Sequence, residues 1–179
     1  MTGSEKRHWI ANRQERVWVY IALVLAAAVA AWGGWTLWQH PSPAFHTREF
    51  KGFFKDQGSV ARILLFIVLA HYVLRVLFQK GVFNRSDALK KWMAALSRLA
   101  RKLHTPAAVL AIAFILVHAA GAILYEFELK FEYVSGLLAL LVLLPVPVLG
   151  LLRYRMLDKA WHLRLGIAFA VLFLIHSFL

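Results

Sequence analysis

The chain has 179 residues, 61% of them hydrophobic, no cysteine, and a formal net charge of +12. A soluble domain of this size needs far less apolar side chain for its core, so the composition points to an integral membrane protein. The missing cysteines exclude a disulfide, a C-x-x-C-H haem attachment, an iron–sulfur cluster and a thiolate zinc site, and the Lys and Arg residues cluster beside the ends of apolar runs, where membrane topology explains them without a nucleic-acid partner.

Five apolar stretches approach the roughly 20 residues that cross a hydrocarbon layer about 30 Å thick. The first, near Val17 to Trp38, follows Lys6, Arg7, Arg13 and Arg16 and ends in a belt of Trp32, Trp35 and Trp38. It reads as an uncleaved anchor over residues 1–40, with its alanines, Gly33 and Gly34 suited to close helix packing. Gln39 to Ser59 is a mixed-charge connection with Arg48, Glu49, Lys51, Lys55 and Asp56. The second stretch, near Val60 to Phe78, contains Arg62, His71 and Arg75. A basic segment follows with Lys80, Arg85, Lys90, Lys91, Arg98, Arg101 and Lys102. Within it, Leu89, Trp92, Met93, Leu96, Leu99 and Leu103 recur at helical spacing and predict a helix over 86–103 lying on the inner surface, with Ser86 its N-cap.

Pro106 sits in the first turn of the third stretch, near Thr105 to Tyr125, where a missing N–H is harmless. A net acidic loop, Glu126 to Glu132, precedes the fourth stretch, near Tyr133 to Leu152, which Pro145 and Pro147 should kink. Arg153, Arg155 and Lys159 separate it from the fifth, His162 to Leu179. The positive-inside rule puts the amino terminus in the cytoplasm and the carboxyl terminus outside, as in a multi-pass plasma-membrane protein. The expected fold is therefore an all-α integral membrane domain over 1–179: five transmembrane helices, the last four forming a bundle over 60–179, plus the interfacial helix.

Two apolar stretches each carry a pair of histidines separated by fourteen residues, His104 with His118 and His162 with His176. Fourteen residues are close to four turns, so both rings of a pair share one helix face about 21 Å apart along the axis. In the expected topology the third and fifth helices run parallel, which sets His104 level with His162 near the inner boundary and His118 level with His176 further out. An antiparallel arrangement would pair His104 with His176 instead. Imidazole is a good axial ligand for iron, and ionisable residues inside membrane helices usually mark function, so the pattern points to two bis-histidine haems. The alternative is that the rings hydrogen-bond other helices or lie at interfaces.

Ala107, Ala108, Ala111 and Gly166 would make room for a macrocycle, and Phe114, Phe169 and Phe173 fall between the two levels. Haem carboxylates call for cations, which Arg101, Lys102, Arg153, Arg155, Lys159 and Arg164 offer at the inner site and Arg48, Lys51, Lys55 and Lys130 at the outer one. His71, one turn from Arg75, is a secondary candidate as ligand, quinone partner or carboxylate contact, while His8, His40 and His46 read as surface residues, the last two able to assist an outer acceptor or quinone site.

The stretches LHTPAAVLAIAFILVH, ending at His118, and KAWHLRLGIAFAVLFLIH, ending at His176, resemble the di-haem membrane cytochromes b, a group that includes ferric-reductase-like domains. That resemblance implies two b-type haems held by paired histidines on two helices separated by a third, with His104, His118, His162 and His176 as iron ligands. No G-x-G-x-x-G turn or phosphate loop occurs in the chain, so the expected electron donor is a membrane quinol or a separate redox protein. The functional expectation is transmembrane electron transfer through the two haems. Its rivals are a haem-bearing anchor subunit of a larger oxidoreductase and a haem-free membrane scaffold; the expected partners are the lipid bilayer, a quinone or redox protein, and further copies in an oligomer.

Overall fold

The computed structural model describes residues 10, 12–40, 42–83, 86–154 and 160–179, and every described regular element is helical. They are α1 (Arg13–Gln39), a short 3-10 turn (Ser42–His46), α2 (Arg48–Gln79), α3 (Asp87–Tyr125), α4 (Phe131–Leu143), α5 (Pro145–Tyr154) and α6 (Ala160–Phe178). With α4 and α5 counted together, five helical segments are long and apolar enough to cross a membrane. Their apolar side chains also remain largely uncovered, as at Val24, Ile63, Leu141 and Val171, a surface that suits hydrocarbon and not water.

The chain divides into two compact units, one of residues 17–126 and one containing 127–179. In the first, α2 and α3 form an antiparallel hairpin. Gly81, at φ 68°, closes α2: its N–H bonds to the Phe78 carbonyl and that of Val82 to Leu77, the paired bonds of a Schellman cap. Phe83 then folds back onto Phe78, ring centroids 5.0 Å apart. Helix α1 touches this hairpin locally, through Gly33 at Val117 and Trp32 at Phe53. A Cβ on its Gly33 would stand 2.5 Å from Val117 Cγ2 of α3, whereas one on Gly34 would meet nothing within 4 Å. Only Gly33, then, is a contact glycine. In the second unit, α4 and α5 pack along α6.

Three elements depart from the sequence reading. Helix α2 begins at Arg48, with the Thr47 hydroxyl accepting the Phe50 N–H, so most of the expected connection before Val60 is helix. Its signal was a buried face, Phe50, Phe54, Ala61 and Leu65 with Gln57 among them, diluted by the intervening Lys51, Lys55 and Asp56. The amphipathic segment 86–103 is not a separate element but the opening turns of α3, which continues through Pro106 without a boundary. Proline removes one N–H bond there, and α3 is locked to α2 at that level by an interhelical bond from His104, described below. Ser86 occupies the N-cap position but makes no side-chain cap bond. The fourth stretch divides at Leu144, where Pro145 supplies no N–H and opens α5, while Leu144 itself keeps helical backbone angles of φ −50° and ψ −47°.

These contacts make the adjacent glycines an internal control. Gly33→Ala should lower thermal stability in detergent by about 1–3 kcal/mol through overpacking against Val117. Gly34→Ala should be neutral or stabilising by up to about 1 kcal/mol from helix propensity. Equal effects in thermal unfolding would contradict the assigned packing of α1.

Candidate functional site

An apolar interior imposes one requirement on a buried imidazole: its N–H must find an acceptor. All four candidate histidines meet it through Nδ1 and a neighbouring helix. In the first unit, His118 Nδ1 lies 2.8 Å from the Phe54 carbonyl and His104 Nδ1 lies 3.2 Å from the Val68 carbonyl. In the second, His162 Nδ1 lies 3.1 Å from the Val146 carbonyl, and His176 Nδ1 lies 3.3 Å from Ser135 Oγ. The Ser135 hydroxyl donates onward to the Glu132 carbonyl at 3.1 Å, leaving its oxygen to accept from the ring. A carbonyl can only accept, so these bonds place the proton on Nδ1 and the lone pair on Nε2. Interhelical bonding, weighed from sequence as the alternative to ligation, is therefore present. It uses a different nitrogen from the one a metal would take.

The carbonyls that end these bonds, directly or through the Ser135 hydroxyl, repeat the histidine spacing. Phe54 and Val68 are fourteen residues apart on α2, and Glu132 and Val146 are fourteen apart across α4 and α5. Four residues beyond each acceptor is the position facing the ring, because a helix carbonyl sits one turn before the residue above it. Those positions are Gly58, Tyr72, Gly136 and Gly150. A Cβ on Gly58 would come 2.7 Å from His118 Nδ1, one on Gly136 would come 2.8 Å from His176 Cε1, and one on Gly150 would come 3.3 Å from His162 Cε1. Three glycines thus let an imidazole lie directly on a helix backbone, two of the rings reaching a carbonyl of that helix and His176 reaching Ser135 Oγ. Tyr72 breaks the pattern, and there His71 meets His104 edge-on with ring centroids 5.3 Å apart.

The residue just before each of these positions is Gln57, His71, Ser135 or Leu149. Gln57 and Ser135 are the two buried polar side chains among the described residues. Neither was singled out in the sequence, nor were the three glycines. A lone Gly or Ser in an apolar run carries no signal until the ring opposite it is known.

The other expected contributors distribute differently. Arg75, Arg101 and Arg164 are exposed, Arg164 lying over the Trp161 ring with its guanidinium 5.3 Å from the centroid. Arg62 is half-buried in α2. At the outer end, Lys51 stands 5.0 Å over Tyr125, and Lys130 pairs with Glu128. His40 Nδ1 donates to the Thr36 carbonyl at 2.7 Å, and His46 lies against Tyr125 with ring centroids 6.3 Å apart. His8, Arg155, Lys159 and the Arg153 side chain fall outside the described residues. Ala107 and Ala111 are buried, so these small residues serve packing; an added Cβ at Gly166 would meet no atom within 4 Å. Phe169 and Phe173 are buried and stacked, centroids 6.1 Å apart.

Among the described residues no three His, Cys, Asp or Glu side chains gather to hold a bare metal ion. Haem iron asks less of a protein, two axial nitrogens, and an imidazole with Nδ1–H bonded to a carbonyl is the oriented, more basic form of that ligand. The donor set fits haem on that chemistry. No protein-family model, curated protein or solved structure matches the chain.

The glycine supports are testable by ring tautomer. Nitrogen-15 NMR of the imidazoles should show Nδ1 protonated at His118 and His162. Gly58→Ala and Gly136→Ala should disturb the His118 and His176 signals respectively and cost about 1–3 kcal/mol, while Gly166→Ala should leave all four unchanged. An undisturbed His118 signal in Gly58→Ala would refute the ring-on-backbone contact.

Proposed function

We propose that the chain is a transmembrane electron conduit with two b-type haems, an inner one ligated by His104 and His162 and an outer one by His118 and His176. The observation that carries this reading is the repeated hydrogen-bond scheme: in each unit two rings fourteen residues apart, every one engaged through Nδ1 with a neighbouring helix, three at a carbonyl and His176 at Ser135 Oγ. Packing alone does not require the same nitrogen to be engaged four times. A structural imidazole can join helices through either nitrogen, whereas an axial ligand must keep the same one for iron.

The two levels lie about 21 Å apart by helical rise, most of the way across a hydrocarbon layer about 30 Å thick. Haem supplies a reversible one-electron centre when bound. The protein's part is to fix four rings in orientation, raise their basicity and hold the two centres at opposite depths. With the amino terminus in the cytoplasm, the inner site meets the basic segment preceding His104, a face suited to an acidic redox protein. A membrane quinol is the alternative electron partner. A haem-bearing anchor subunit shares the same ligands and differs only in where catalysis resides.

A reduced-minus-oxidised spectrum of the purified chain should show b-type haem at two per polypeptide. His118→Ala or His176→Ala should remove one haem and its outer-site signature, leaving the inner one. A colourless protein would end this reading in favour of purely interhelical histidines.

A further inference from the structure

The bonds of His118 to Phe54 and of His104 to Val68 set the register of the α2–α3 hairpin: residue numbers fall on one helix as they rise on the other. Residues 72–78 of α2 therefore stand level with roughly residues 94–102 of α3. That end of α2 is apolar apart from Arg75, with Tyr72 and Val73 exposed. At the same depth α3 has two unlike sides. Successive residues turn by about 100°, which gathers Leu89, Trp92, Leu96, Leu99 and Leu103 into a sector about 80° wide, and Lys90, Lys91, Arg98, Arg101 and Lys102 into one about 120° wide on the opposite side. All of these except Leu103 are exposed, Trp92 by 78%.

Apolar side chains thus flank Arg98, Arg101 and Lys102 on two sides of the hairpin, which puts these cations where hydrocarbon meets headgroups and not in free water. Lys90 and Lys91 lie about 10 Å or more further from the span by helical rise. A cation at that boundary calls for a counter-charge. Residues 57–86 and 88–125 contain no Asp or Glu, and the nearest acid along α3, Asp87, is about 16 Å from Arg98. A soluble acidic partner reaches Lys90 and Lys91 but not cations set among lipid-facing side chains. A lipid phosphate already sits at that depth, carries the complementary charge and presents the paired oxygens that a guanidinium binds. We propose that Arg98, Arg101 and Lys102 form a binding surface for an anionic phospholipid in the leaflet around the His104 end of the hairpin, with Arg75 a fourth cation at the same level. Such a lipid binds with or without haem.

The full chain in a nonionic detergent, titrated with phosphatidylglycerol or phosphatidylcholine and read by native mass spectrometry, tests this. The wild type should hold phosphatidylglycerol about tenfold more tightly, the scale of two screened cation–phosphate contacts. Arg101→Gln with Lys102→Gln should lose most of that preference, while the charge-matched Lys90→Gln with Lys91→Gln keeps it. Photoreactive phosphatidylglycerol, which needs no substitution and so no altered fold, should crosslink the wild type within residues 93–103. Equal losses from the two double variants, or crosslinks centred on residues 88–92, would reduce the effect to net charge and overturn the site. A wild type that holds both lipids equally overturns it as well. Displacement of the lipid by soluble polyglutamate would instead make this face a dock for an acidic protein.

Discussion

The bond between an imidazole N–H and a helix carbonyl organises what is described here. In hydrocarbon no water substitutes for a missing partner, and each carbonyl of a helix is already engaged along its own axis. The remaining lone pair of such a carbonyl can still accept, but only from a donor that comes close to the backbone. Gly58 and Gly150 permit that approach, and Gly136 lets the His176 ring come as close to Ser135. Removing a methyl group is the smallest change that lets an aromatic ring rest on a neighbouring helix, and it fixes depth and ring orientation together.

Both antiparallel hairpins use this device at the same fourteen-residue interval, on the histidine-bearing helix and on its partner. The departures are localised. Ser135 interposes a hydroxyl before the Glu132 carbonyl, and Tyr72 with His71 replaces the glycine support at His104. Three of the four seats thus rest on a glycine, while at the fourth His104 keeps its bond to the Val68 carbonyl and meets the edge of a second imidazole.

The histidine spacing was legible in the sequence because a charge-capable ring inside an apolar run is rare and its period is easily seen. The five spans and the break near Pro145 were legible for similar reasons, length and the absent N–H. The start of α2 was not, since Phe50, Phe54, Gln57 and Ala61 alternate with Lys51, Lys55 and Asp56 and average to an ordinary polar connection. Nor was the continuity of α3 through Pro106, because a proline costs a helix one N–H bond and local sequence does not say whether packing against a neighbouring helix offsets that loss. The glycine supports are relational features, with meaning only once two helices have a register.

The unbroken run of α3 has a mechanical corollary. His104 and His118 ride on one 39-residue rod, so their separation is as fixed as the pitch of the helix. In the other hairpin Gly136 and Gly150 lie on either side of Leu144, whose backbone stays helical and whose N–H still bonds to the Leu140 carbonyl at 3.1 Å. The α2–α3 hairpin thus acts as a ruler, its two imidazoles unable to draw together while the rod stays helical.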